Sequence, residues 1–228
     1  MKLTKNHATY RTMLQNEFPT ICIGSQGTGK TYGAIQEALA RLKLKGGINR
    51  IIITRPNVPF ADTLGLLPGT DMEKLAPWVR PVKDILMELV PISQLETFEK
   101  AGVIEYLPFE FIQGLSFHNA FIILDEVQNA SYPQLQIFLG RQGEFSKTVL
   151  CGDVKQQSEK FKGSGLSELI NMIRATGTNA NIVEFTLEDC VRSEACKKWL
   201  EAFEEWENIS EVKKRKHGRI NAVVTKSA

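Results

Sequence analysis

Gly24-Ser25-Gln26-Gly27-Thr28-Gly29-Lys30-Thr31 has the spacing of a phosphate-binding loop: glycine, four free positions, then Gly-Lys-Thr. The glycines let backbone N–H groups turn inward around a polyphosphate, where side chains would block the approach. Lys30 is placed to reach the β- and γ-phosphates, and the Thr31 hydroxyl can ligate Mg²⁺. Working outward, Thr20-Ile21-Cys22-Ile23 reads as a short buried strand. Tyr32 to Lys43, with Ile35, Ala38, Leu39 and Leu42 on one stripe, reads as an amphipathic helix. The phosphates then sit at a helix N-terminus, whose free N–H groups and dipole favour an anion, with Tyr32 beside them. A functionless glycine-rich turn is the alternative, and the strand–loop–helix setting argues against it.

The second informative stretch is Ala120-Phe121-Ile122-Ile123-Leu124-Asp125-Glu126, an apolar run ending in two acids. Behind a phosphate loop, such a strand delivers an Asp beside the Mg²⁺ held by Thr31. A following Glu can activate water for attack on the γ-phosphate. The same pair also suits a helix start. Lys147-Thr148-Val149-Leu150-Cys151-Gly152-Asp153 is a further strand, whose carboxyl edge would bring Gln156 toward the γ-phosphate. Arg50–Thr54, Val103–Tyr106 and Asn181–Phe185 complete five or six strands. Alternating with helices, they imply a three-layer α/β domain with a mainly parallel sheet.

With 228 residues, one α/β domain over residues 1–212 is expected, followed by a basic, flexible tail over 213–228. The net charge of +2 gives no overall basic field, so a nucleic-acid partner must rest on local features. Those are Lys213–Arg219 and the Pro-rich excursion from Arg55 to Pro81. Val82 to Lys100 reads as helical with a break at Pro91, and Glu194 to Ile209 as an amphipathic helix with Trp199, Phe203 and Trp206 in the core. Cys22 and Cys151 read as small buried hydrophobes, and Cys190 and Cys196 lack metal-ligand spacing. No apolar stretch is long enough for a membrane span, so a cytoplasmic protein without a membrane partner is expected.

Together these pieces resemble the PhoH family of P-loop ATPases, related to superfamily 1 helicases. The similarity runs from about Asn6 to about Glu205. It is carried by the phosphate loop, Arg55-Pro56, Leu64–Gly69, Asp125-Glu126-Val127-Gln128-Asn129, Gly152-Asp153, Ser164-Gly165-Leu166, and Asp189 with Val191-Arg192. The resemblance implies a RecA-like fold, ATP and Mg²⁺ as ligands, RNA or single-stranded DNA as partner, and a homo-oligomer, suspected to be a hexameric ring. It also implies an arginine on the developing charge, supplied in trans by Arg192 or, failing that, Arg141. Two departures stand out. The family places Asn-Gln near the start, where the Gln reads adenine; here the pair is Asn6-His7, and the resemblance implies His7 as a nucleotide-binding residue, since an imidazole can also bond to a purine edge. An Arg-Gly-Arg-Thr run before the acidic strand is here Gln113-Gly114-Leu115-Ser116. A phosphotransferase and a nucleotide-gated switch with negligible turnover are the rival readings.

Overall fold

Runs such as Ile51-Ile52-Ile53 and Phe121-Ile122-Ile123-Leu124 lack alternation, because both faces of the strands they form are covered. A computed structural model describes residues 3–44, 47–56, 71–154 and 164–224, without the side chains of 71–78 and 210–224. Its strands are β1 (Thr20–Gly24), β2 (Arg50–Arg55), β3 (Ile104–Pro108), β4 (Ala120–Leu124), β5 (Lys147–Gly152) and β6 (Asn181–Phe185). They form one sheet in the order β3-β2-β4-β5-β1-β6, and every neighbouring pair is parallel. β5 therefore separates the phosphate-loop strand β1 from the acidic strand β4.

The helices are α1 (Lys5–Gln15), α2 (Lys30–Lys43), α3 (Asp71–Leu89), α4 (Ile92–Lys100), α5 (Tyr132–Leu139), α6 (Gly165–Thr176) and α7 (Glu194–Val224). α1 to α4 cover one face, where Ile51, Ile53, Phe121, Ile123, Cys22 and Cys151 point. α5 and α6 cover the other, with Ile52, Ile122, Leu124 and Leu150. This is the expected three-layer arrangement. Lys147, buried at the N-terminal edge, donates to the carbonyls of Met13 and Phe18 and to Thr20 Oγ1, pinning the α1–β1 connection to β5.

Four expectations change. α3 begins at Asp71 and continues through Pro77 and Pro81, so the excursion after Arg55 ends earlier than its prolines suggest. Each proline removes one helical hydrogen bond, and packing of Val79, Val82 and Leu86 into the core outweighs that loss. Leu64–Gly69 lies outside the described residues. Trp199, Phe203 and Trp206 are 66%, 56% and 63% exposed, so they are a surface stripe and not core. α7 touches the body chiefly through the turn at Leu187–Asp189, and Leu200 is its buried anchor. The basic run Lys213–Arg219 lies within this helix, not in a separate tail. α5 was not expected, although Ser131 and Gln134 form a capping box with Pro133 in the first turn. Among the described residues, no helix is long and apolar enough to cross a membrane.

Candidate nucleotide site

The carboxyl edge of the sheet gathers the loop and the acids around one cavity of about 1210 Å³. Gln26, Gly27, Gly29, Lys30, Thr31 and Tyr32 line it from one side, Asp125 and Glu126 from the other, with His7 and Arg192 at its rim. Gly24 and Ser25 bend the chain out of β1, and their carbonyls accept from Lys30 Nζ at 2.7 and 2.8 Å. Thr28 Oγ1 donates to the Ser25 carbonyl at 2.9 Å. The Ser25 hydroxyl is buried without a hydrogen-bond partner. These contacts hold the loop in a turn with a lysine ammonium curled over it, a cradle that fits a polyphosphate.

Across the cavity, Thr31 Oγ1 donates to Asp125 Oδ1 at 2.8 Å. A hydroxyl and a carboxylate brought together beside the loop are a hard-oxygen pair that suits Mg²⁺. Burial, and then the charge of Glu126, raise the Asp125 carboxyl above its ordinary value; the Thr31 hydroxyl and Arg55 oppose them. The Asp125 amide is tied to the Thr54 carbonyl of β2 at 2.9 Å, so the neighbouring strand fixes its position.

Glu126 has φ 52° and ψ 41°, a left-handed backbone that a residue with a Cβ adopts at a cost. That turn aims its carboxylate into the cavity, where both oxygens are engaged. Oε1 lies 3.6 Å from Arg55 Nη2, and Oε2 accepts from Gln128 Nε2 at 2.5 Å. Gln128 Oε1 in turn accepts from the Asp153 amide at 3.1 Å, linking Glu126 to the end of β5. A Cβ on Gly152 would come within 2.5 Å of Val127 Cγ1 and 2.8 Å of Gln128 Oε1, so this link requires glycine there. Arg55, expected at a nucleic-acid backbone, is here paired with Glu126. Gln156 lies outside the described residues.

The rim joins the two ends of the chain. The Val191 amide donates to the Gly27 carbonyl at 2.9 Å. Arg192 lies over Gly27, where a Cβ would stand 2.8 Å from its Cγ. Arg192 therefore sits beside the loop of its own chain. Arg141 lies at the opposite edge of the sheet, just before β5, and takes no part in this site.

Asp189, 2% exposed, accepts from Thr4 Oγ1, from Asn6 Nδ2 at 2.8 Å and from the Thr186 amide at 2.8 Å. Burial opposes its charge, but those bonds and the nearby His7 hold its carboxyl below the ordinary value. Tyr10 Oη donates to the Lys30 carbonyl at 3.0 Å, and His7 Nε2 meets the Thr28 carbonyl at 3.1 Å. Sequence reasoning missed Tyr10 as part of the site and quoted Asp189 only as a motif residue, because the partner that ties Asp189 to the start of the chain lies 185 residues away. Gln128 was within reach, since it belongs to the quoted acidic motif.

A phosphate loop leaving a parallel strand, facing an acidic strand end two strands away, defines a P-loop nucleoside-triphosphatase fold with a nucleotide-binding site. The family model described as PhoH-like protein matches residues 1–204, and the chain belongs to the PhoH family. It is 36% identical over 205 residues to a PhoH-like protein of Mycobacterium tuberculosis H37Rv, covering 90% of this chain and 58% of that protein. A PhoH-like protein of Bacillus subtilis is 37% identical over 183 residues, covering 80% and 57%. Protein PhoH of Escherichia coli K12 is 35% identical over 206 residues, covering 88% and 58%. The chain thus spans a little under three fifths of the length of these curated relatives. Among solved structures, the large terminase of a thermophilic bacteriophage superposes with a TM-score of 0.52 at 11% identity, covering 88% of this chain and 50% of that one. That likeness concerns the fold.

Proposed function

We propose that this chain is a Mg²⁺-dependent ATPase whose cycle acts on RNA or single-stranded DNA in a helicase-like manner. The observation that carries the reading is the convergence of Lys30, the Thr31–Asp125 pair and Glu126 on one cavity. Lys30 and the loop amides hold the β- and γ-phosphates. Thr31 and Asp125 hold Mg²⁺, which when bound neutralises charge on the phosphate oxygens. Glu126 orients and deprotonates the attacking water. Arg192, reaching over the loop, is the cation available in cis for developing charge. A water-activating carboxylate favours hydrolysis over transfer to an acceptor, the rival reading.

The nucleic-acid assignment draws on the family and on the basic run Lys213–Arg219 in α7. The exposed faces of Trp199 and Phe203 support a homo-oligomer in which they are covered, and a cytoplasmic location suits such a protein. The test is phosphate release from ATP with Mg²⁺, alone and with RNA or single-stranded DNA. The reading expects metal-dependent turnover that nucleic acid stimulates. Stoichiometric binding without turnover would leave only a nucleotide-gated switch. Sedimentation of the full chain measures the assembly.

A further inference from the structure

His7 lines the nucleotide cavity, yet both of its ring nitrogens are already used within the protein. The Thr4 amide can only donate, so Nδ1, 3.2 Å away, is its acceptor. The ring proton then resides on Nε2, which donates to the Thr28 carbonyl at 3.1 Å. A protonated ring leaves no more freedom, because Thr4 Oγ1 at 2.8 Å from Nδ1 and the Thr28 carbonyl are both placed to accept. The NH2 group of Asn6 is likewise spent, on Asp189 and on the Glu184 carbonyl at 3.3 Å, and Asn6 is not among the residues that line the cavity. Of the other polar side chains on the cavity wall, Tyr10 is committed to Lys30 and Glu37 to Arg41. Gln26, Gln36 and Arg11 are exposed and can turn to water.

Strong discrimination between similar ligands comes from buried polar groups that the wrong ligand leaves unpaired. Among the described residues, the side chains lining this cavity offer no such group to a base edge. It does offer Tyr32, half-buried in the wall directly after the loop, and any base has a face that stacks on an aromatic ring. We infer that the site accepts nucleoside triphosphates irrespective of the base, and that His7 is a positioning residue that fastens α1 to the phosphate loop. ATP is then one substrate among four. The inference rests on the nucleotide-binding reading above.

The test uses the full chain with ADP carrying a fluorescent group on the ribose, displaced by unlabelled ADP, GDP, CDP or UDP. The four Kd values should agree within about threefold, since the described residues offer no base-specific side-chain contact of the ~1–3 kcal/mol kind. His7→Ala should weaken all four by one common factor, because it loosens the loop without removing a base contact. A tenfold preference for one base in the wild type overturns the inference, as does a His7→Ala variant in which the ratios change. Affinities untouched by His7→Ala overturn its positioning role. A label that binds nowhere overturns the nucleotide-binding reading itself, an outcome distinct from base preference.

Discussion

Arg55→Ala separates two views of Glu126. In the structure Arg55 and Gln128 occupy both carboxylate oxygens, so the base that should act on water is held by its own neighbours. The Arg55–Glu126 pair is 3.6 Å apart, and its side chains are 31% and 34% exposed. After discounting for solvent screening, such a pair is worth about 0.2–1 kcal/mol. Each 1.36 kcal/mol is tenfold in rate, so releasing Glu126 should raise basal turnover by up to about fivefold. In the proposed cycle a nucleic-acid phosphate drawing Arg55 away has the same effect, so Arg55→Ala should also respond less to RNA. Arg55→Lys keeps a charge and should fall between the two. The assay is steady-state phosphate release at saturating ATP and Mg²⁺, with and without RNA, alongside nucleotide affinity by titration calorimetry. A basal rate that falls by a hundredfold with affinity unchanged would refute the reasoning, because Arg55 would then support the chemistry directly.

Lys30→Ala should lose nucleotide affinity and turnover together, whereas Glu126→Gln should keep nucleotide bound and slow hydrolysis by on the order of a hundredfold or more; calorimetry and single-turnover kinetics distinguish them. Asp125 binds its proton more tightly folded than unfolded, so stability falls as pH rises from the unfolded value through the raised one and stays reduced above it. Asp125→Asn should therefore melt higher than wild type at neutral pH without metal and nucleotide, while Mg²⁺ no longer strengthens nucleotide binding. Gly152→Ala forces a methyl against Val127 and Gln128 and should cost about 1–3 kcal/mol in urea unfolding.

What was legible in the sequence was what local pattern encodes. The loop between β1 and α2 and the acids ending β4 stand where glycine spacing and apolar runs put them. The break at Pro91 also appears, between α3 and α4. Pro77 and Pro81 misled because their cost is local while the packing that overrides it is not. The aromatics of α7 misled for a related reason: a helical stripe says that one face is apolar, not which surface covers it. The pairing of Arg55 with Glu126 and the seat of Arg192 over Gly27 depend on sheet order, which brings together segments that share no local signal. His7 was visible as a departure from the family pair, but its engagement with Thr4 and Thr28 required the capping geometry of α1.

The Asp189 junction has a consequence for how the chain matures. Its carboxylate joins Thr4 to a turn 185 residues later, and the next residues close over Gly27. The phosphate loop emerges early in synthesis, but its outer wall arrives only with Val191 and Arg192. Contacts of such separation form late, because the intervening chain must first be ordered. As domains fold during synthesis, nucleotide affinity should therefore follow the arrival of Val191 and Arg192 and not the appearance of the loop itself. A fragment ending at residue 180 should carry the whole loop and still fail to hold the nucleotide.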